Sequence, residues 1–319
     1  MTAEHIIPQS IGGRLKPRLY CKDCNSAFGT VLDKEISDQF GHIATTLQIR
    51  RERGTVQPFT VQDIETKTEL LFDGRQLKRK DPIINLKFGP DGSVTSVDVT
   101  ARTESDLNRI MQGLRTRYGL TGNGRKFQDP HSGPTDTTHT RLFNTALIGR
   151  AVTKMGYGFL CYKLPTLTLS SALDEARHYI QTGQGRDLAC VNFLDTRFMV
   201  DNVRPLHKIH ITFDRAAHLI VGFVSIFGIF RYTVLLSKEY RAELELADVD
   251  YTYNPVTQRL VEGNANFIAP RLREDKILSP REPLDMARRE LIAALRVLES
   301  YVSNQVLLDI ELQKSQPSN

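Results

Sequence analysis

The chain has 319 residues, 40% hydrophobic and 25% charged, which excludes a disordered protein and allows two or three domains around a sizeable core. A formal charge of +5 is compatible with a nucleic-acid partner but does not require one. Four cysteines exclude a disulfide scaffold, no basic-then-apolar signal segment opens the sequence, and the most apolar run, Leu219 to Phe230, is too short to span a bilayer. A cytoplasmic protein is expected.

Residues 1–27 are loop-rich, with Pro8, Gly12, Gly13 and Pro17. A helix is predicted from Ser26 to Arg50, because Phe28, Leu32, Ile36, Phe40, Ile43 and Leu47 recur every three or four residues and make one apolar stripe. The basic run "RRERG" suits its C-terminus. Residues 56–101 read as short strands ("PFTVQDI", "KTELLF", "IINLKFG", "SVTSVDVTA"). A polar "DGRQLKRKD" separates the middle two, and Gly89 to Gly92 forms a hairpin turn. A helix from Glu104 to Tyr118, capped by Thr103, follows.

The Gly/Pro/Thr-rich stretch 119–140 is the best candidate domain boundary. Helices are predicted over Arg141–Tyr157 and Ser171–Thr182, strands over Leu188–Leu236, and one long helix over Pro283–Leu312 that packs on the sheet or on another subunit. The reading is an α+β protein in three parts: residues 1–54, a strand-rich 55–120, and a mixed 141–319.

The chemistry is concentrated near the start. Glu4-His5-Ile6-Ile7-Pro8 is followed by Gly12-Gly13, then Cys21-x-x-Cys24-Asn25, then Phe28-Gly29-x-x-x-Asp33. Five elements in this order and spacing resemble the HNH nucleases of the ββα-metal superfamily, in the zinc-ribbon-type subgroup. The resemblance covers about residues 3–34. It implies a metal-dependent endonuclease acting on DNA, with His5 as general base and Glu4 and Asn25 as ligands of Mg²⁺ or Mn²⁺. It also associates the chain with prokaryotic defence or mobile elements. These residue types suit the reaction: a neutral imidazole takes a proton from water near pH 7, and a hard cation on oxygen ligands neutralises charge on phosphate. Neighbours on a flat strand face opposite ways, so Glu4 and His5 need a bend, or an approach to the metal from two sides, to serve one phosphate. Asp33 is read as a support, through Arg14, Lys16 or a backbone amide.

Two departures stand out. Cys21 and Cys24 make half a tetrahedral zinc site. The subgroup's other C-x-x-C lies upstream of the Glu-His pair, where only Met1, Thr2 and Ala3 stand here. Either the natural chain starts further upstream, the favoured reading, or this member has lost the zinc. Cys161 and Cys190 read as core thiols. The family's Asn a few residues before the first cysteine is also missing. The His5 tautomer must then be fixed otherwise, by a backbone carbonyl, while Arg18 is free to contact phosphate. Arg14, Lys16, Arg50 and Arg51 are further candidate phosphate contacts. Arg50/Arg51/Arg53 and Lys78/Arg79/Lys80 read more simply as a helix end and a solvated turn. His207 and His210, three apart in a strand, face opposite sides and do not make a metal pair. The rival function is a catalytically inactive nucleic-acid-binding or regulatory protein with a degenerate module. The role of the remaining residues, 55–319, carries no motif.

Overall fold

The computed structural model describes residues 1–52, 55–121, 137–140, 143–191, 205–240 and 246–261, with scattered positions between 289 and 301. Two short antiparallel strands, β1 (Thr2–Ala3) and β2 (Arg18–Tyr20), open the chain. Helix α1 (Lys22–Phe28) runs through a π-helical turn, Gly29–Asp33, into α2 (Lys34–Thr46). This is the strand–strand–helix order that the sequence implied. The helix starts four residues earlier than predicted, because the Cys21 side chain accepts the Cys24 N–H at 3.1 Å and caps it.

The predicted stripe is buried at all six positions: Phe28 6%, Leu32 0%, Ile36 0%, Phe40 0%, Ile43 3% and Leu47 6% exposed. Its first four members are spaced strictly by four, which drifts about 40° per step on a 3.6-residue helix. The π-helical turn absorbs extra residues between Phe28 and Lys34 and keeps the stripe on one side.

Residues Gln57–Arg141 form one compact unit, and Met1–Val56 with Leu142–Asn319 the other. The first contains a four-stranded antiparallel sheet built from β3 (Phe59–Asp63), β4 (Glu69–Phe72), β5 (Leu77–Arg79) and, after the elements that follow, Thr137–Thr138. A separate hairpin of β6 (Ile83–Phe88) and β7 (Val94–Thr100) leads into α3 (Glu104–Tyr118). Strand Thr137–Thr138 is β8 and pairs with β3. The Thr103 hydroxyl caps α3 by accepting the Asp106 N–H, as its position predicts. Strand β5 falls inside the predicted polar turn: it pairs antiparallel with β4, while Lys78 bonds Asp73 and Lys80 bonds Glu69.

In the second unit, α4 (Thr145–Lys163) and α5 (Asp174–Thr182) accompany a six-stranded antiparallel sheet. Its strands are β9 (Ala189–Val191), β10 (His207–Asp214), β11 (Leu219–Ile226), β12 (Phe230–Ser237), β13 (Val249–Asn254) and β14 (Arg259–Leu260), in the order β14-β13-β10-β11-β12-β9. The apolar run Leu219–Phe230 is thus the buried strand β11, the turn after it and the first residue of β12. Helix α4 continues six residues past its predicted end, because Phe159, Leu160 and Cys161 have buried partners. It lies between the sheet and the N-terminal elements. One core joins Ile6, Ile11, Leu32 and Phe40 to Val152, Met155 and Phe159 of α4 and to Ile209, Val224 and Val234 of the sheet. A Cβ on Gly158 would lie 3.1 Å from Ile6 and 3.2 Å from the Tyr20 hydroxyl, so glycine lets α4 approach the first strands closely. The predicted helix Pro283–Leu312 lies largely outside the described residues.

Candidate active site

Regular strand geometry ends at Ala3, but the hairpin continues: the Glu4 N–H donates to Pro17 O at 2.9 Å and the Ile6 N–H to Leu15 O at 3.0 Å. The chain then turns through Pro8–Gly13. A Cβ on Gly13 would sit 1.8 Å from the Ile7 carbonyl oxygen, so only glycine fits this crossing. Glu4 and His5 both line one pocket, with Pro8, Gln9, Ser10, Gly29, Asp33, Lys34 and Ser37 completing its wall. The pocket measures about 290 Å³. The break in the strand therefore brings both side chains to one cavity.

Glu4 faces inward. Its Oε1 accepts from Lys154 Nζ at 2.6 Å, and the same ammonium reaches the two Asp33 oxygens at 2.8 and 3.0 Å. Burial, and then a hydrogen bond with Asp33, push the Glu4 carboxyl up to about 7 against the pull of Lys154. Asp33 was expected to act through Arg14, Lys16 or a backbone amide; its side-chain partner is Lys154, a residue 121 positions away. The π-helical turn ends at Asp33, whose backbone carbonyl accepts from the Ser37 hydroxyl at 2.7 Å.

His5, on the same pocket, has its own carboxylate partner. Its Nε2 lies 3.4 Å from Glu52 Oε1, and Arg14 Nη1 and Lys16 Nζ approach the same carboxylate at 3.4 and 4.0 Å. Arg14 also donates to the Arg50 carbonyl at 2.9 Å. Burial lowers the imidazole below its usual range, and Glu52 opposes that shift. A neutral ring is the form a general base needs. The tautomer-fixing partner expected to be a backbone carbonyl is thus a carboxylate. Partial desolvation works against ionising Glu52, but the hydrogen bond and charge of His5, then Lys16 and Arg14, hold it below the usual carboxylate range.

Asn25 lies on the first turns of α1, with Nδ2 3.4 Å from the Ala3 carbonyl, beside the peptide that leads into Glu4. Its Oδ1 is buried and has no hydrogen-bond partner among the described residues. A buried, unsatisfied carbonyl is uncommon, and a cation would satisfy it. An amide oxygen is a donor type that Mg²⁺ or Mn²⁺ takes beside its waters, but Asn25 is not among the residues that line the Glu4–His5 pocket. Among the described residues no three His, Cys, Asp or Glu side chains are grouped as a metal cage.

Cys21 is exposed and Cys24 half-buried, and the hydrogen bonds to Cys24 make Cys21 the more acidic thiol. Cys161 is buried in α4 and Cys190 sits in β9, so neither joins them. Arg18 is exposed on β2, Arg50 is exposed, and Arg51 is half-buried. His207 and His210 face opposite sides of β10, as their spacing predicts: His207 bonds the Ile11 carbonyl and His210 lies against Asp248.

Sequence reasoning missed Lys154 and Glu52. Each had a signal: a lysine inside the apolar run "AVTKMGYGFL", and one acid inside the basic run "RRERG".

No curated protein and no solved structure matches the chain. Among the described residues no helix is long and apolar enough to cross a membrane. Residues 1–41, the segment that carries Glu4 and His5, match the family model described as HNH endonuclease.

Proposed function

We propose that the protein is a metal-dependent endonuclease that hydrolyses phosphodiester bonds in DNA at the Glu4–His5 pocket, leaving a 5′-phosphate and a 3′-hydroxyl. The observation that carries this reading is the convergence of Glu4, His5 and Asp33 on one pocket within the segment that matches the HNH family. His5, kept neutral by burial and steadied through Nε2 by Glu52, takes the proton of the attacking water. Glu4 and Asn25 hold the divalent ion, which supplies charge neutralisation at the scissile phosphate. Arg14 and Lys16, which share Glu52 with His5, meet neighbouring phosphates, and exposed Arg18 and Arg50 are further phosphate contacts. A structural Zn²⁺ takes Cys21 and Cys24 as half of its ligands where an upstream pair is present.

The test is incubation of supercoiled plasmid with the full chain and Mg²⁺ or Mn²⁺, beside His5→Ala and Glu4→Gln. Nicking that requires metal, His5 and Glu4 is the expected result. DNA binding by all three proteins with no nicking by any would establish the binding-protein alternative instead.

A further inference from the structure

Lys154 sets an ammonium against Glu4 and Asp33, two carboxylates of the pocket. It stands in the middle of α4 with its side chain 2% exposed. Its ammonium contacts Glu4 Oε1 and both Asp33 oxygens, between 2.6 and 3.0 Å. The rings of Tyr20 and Phe28 lie 6.0 and 5.7 Å from it. Two carboxylates and two aromatic faces around one point make a cation seat, and the protein fills it with its own side chain.

This has two consequences for a divalent ion. Three of the four carboxylate oxygens already accept from the ammonium, so the reading of Glu4 and Asn25 as ligands leaves Glu4 Oε2 and Asn25 Oδ1, which has no hydrogen-bond partner among the described residues, as donors. The ammonium also repels a second cation across a few ångströms of partly desolvated protein, where such repulsion is much stronger than in water. A hard ion with two protein donors completes its shell with water and phosphate oxygens.

We propose that Lys154 is a built-in cation that shuts Asp33 out of metal coordination, so that the divalent ion is held weakly until the nucleic-acid phosphate completes its shell. This rests on the reading of Glu4 and Asn25 as metal ligands. A lysine that only fastened α4 to the hairpin would weaken folding when removed and would not strengthen metal binding.

Binding of Mn²⁺ to the full chain, read from the electron paramagnetic resonance of the free ion at pH 8 without DNA, tests it. Lys154→Met and Lys154→Gln are expected to bind Mn²⁺ at least about tenfold tighter than the parent. Adding Asp33→Asn to either should cancel the gain, because Asp33 is then the new ligand. Affinity that stays the same or falls in folded Lys154 variants overturns the proposal. A second arm does not depend on those variants folding. His5→Ala should bind Mn²⁺ at least about tenfold tighter with a short DNA duplex present, after subtraction of the duplex alone. Equal affinity with and without duplex overturns it as well. Glu4→Gln separates the two levels. If it leaves Mn²⁺ binding unchanged, the ligand reading itself fails. If it weakens binding while Lys154→Met brings no gain, only the role of Lys154 fails.

Discussion

His207 and His5 show how surroundings divide one residue type between two jobs. His207 begins β10 with no exposed surface. Its Nε2 donates to the Ile11 carbonyl at 2.8 Å, its Nδ1 accepts the Phe227 N–H at 3.3 Å, and burial pushes the ring down to about 4. Both nitrogens serve backbone groups, so the ring is a neutral fastener between the sheet and the turn behind the site. His5 gives one nitrogen to a carboxylate at the edge of a pocket. Its Nδ1 has no hydrogen bond among the described residues. The first arrangement stores stability and the second leaves a proton acceptor available.

The largest effect separates them outright. His5→Ala should lower the nicking rate by about 10²–10⁴-fold, the usual worth of a general base, with an unchanged melting temperature. Leu32→Ala, at a position with no exposed surface beneath the pocket, should cost about 2–5 kcal/mol in denaturant unfolding. His207→Leu should cost about 1–3 kcal/mol, because it orphans the Ile11 carbonyl and the Phe227 N–H inside the core. Its nicking rate at low temperature should stay near the parent's. Glu52→Gln should slow nicking by only about fivefold, since a partly exposed hydrogen bond to a neutral ring is worth about 1 kcal/mol.

The pH profile sharpens the contrast further. Glu4, raised to about 7, must lose its proton to hold a cation, whereas burial holds His5 below its usual range, so it stays neutral there. Nicking should therefore fall as pH drops through about 7, with Glu4 setting the acid limb. Glu52 raises the His5 pKa, so Glu52→Gln moves His5 further from that limb and should leave its position unchanged.

Much of this was legible in the sequence for local reasons. The Glu-His, Gly-Gly and Cys-x-x-Cys-Asn order marks the site because each element constrains a nearby stretch of backbone: Gly13 has no room for a Cβ, and Cys21 caps the helix that presents Asn25. The apolar stripe from Phe28 to Leu47 and the Thr103 cap follow from spacing alone. The π-helical turn was less legible, although its signal was present in the strict four-residue spacing of Phe28, Leu32, Ile36 and Phe40. Lys154 was hidden because its partners are 121 and 150 residues away, and no local pattern records a pairing that tertiary packing creates. Glu52 was masked by the charges around it, which made the run read as a basic helix end.

The most direct test of the account is a paired measurement of metal-dependent plasmid nicking and melting temperature on His5→Ala and His207→Leu. His5→Ala is predicted to lose nicking at an unchanged melting temperature, while His207→Leu melts earlier and still nicks below its transition. Nicking by His5→Ala at the parent's rate would contradict it.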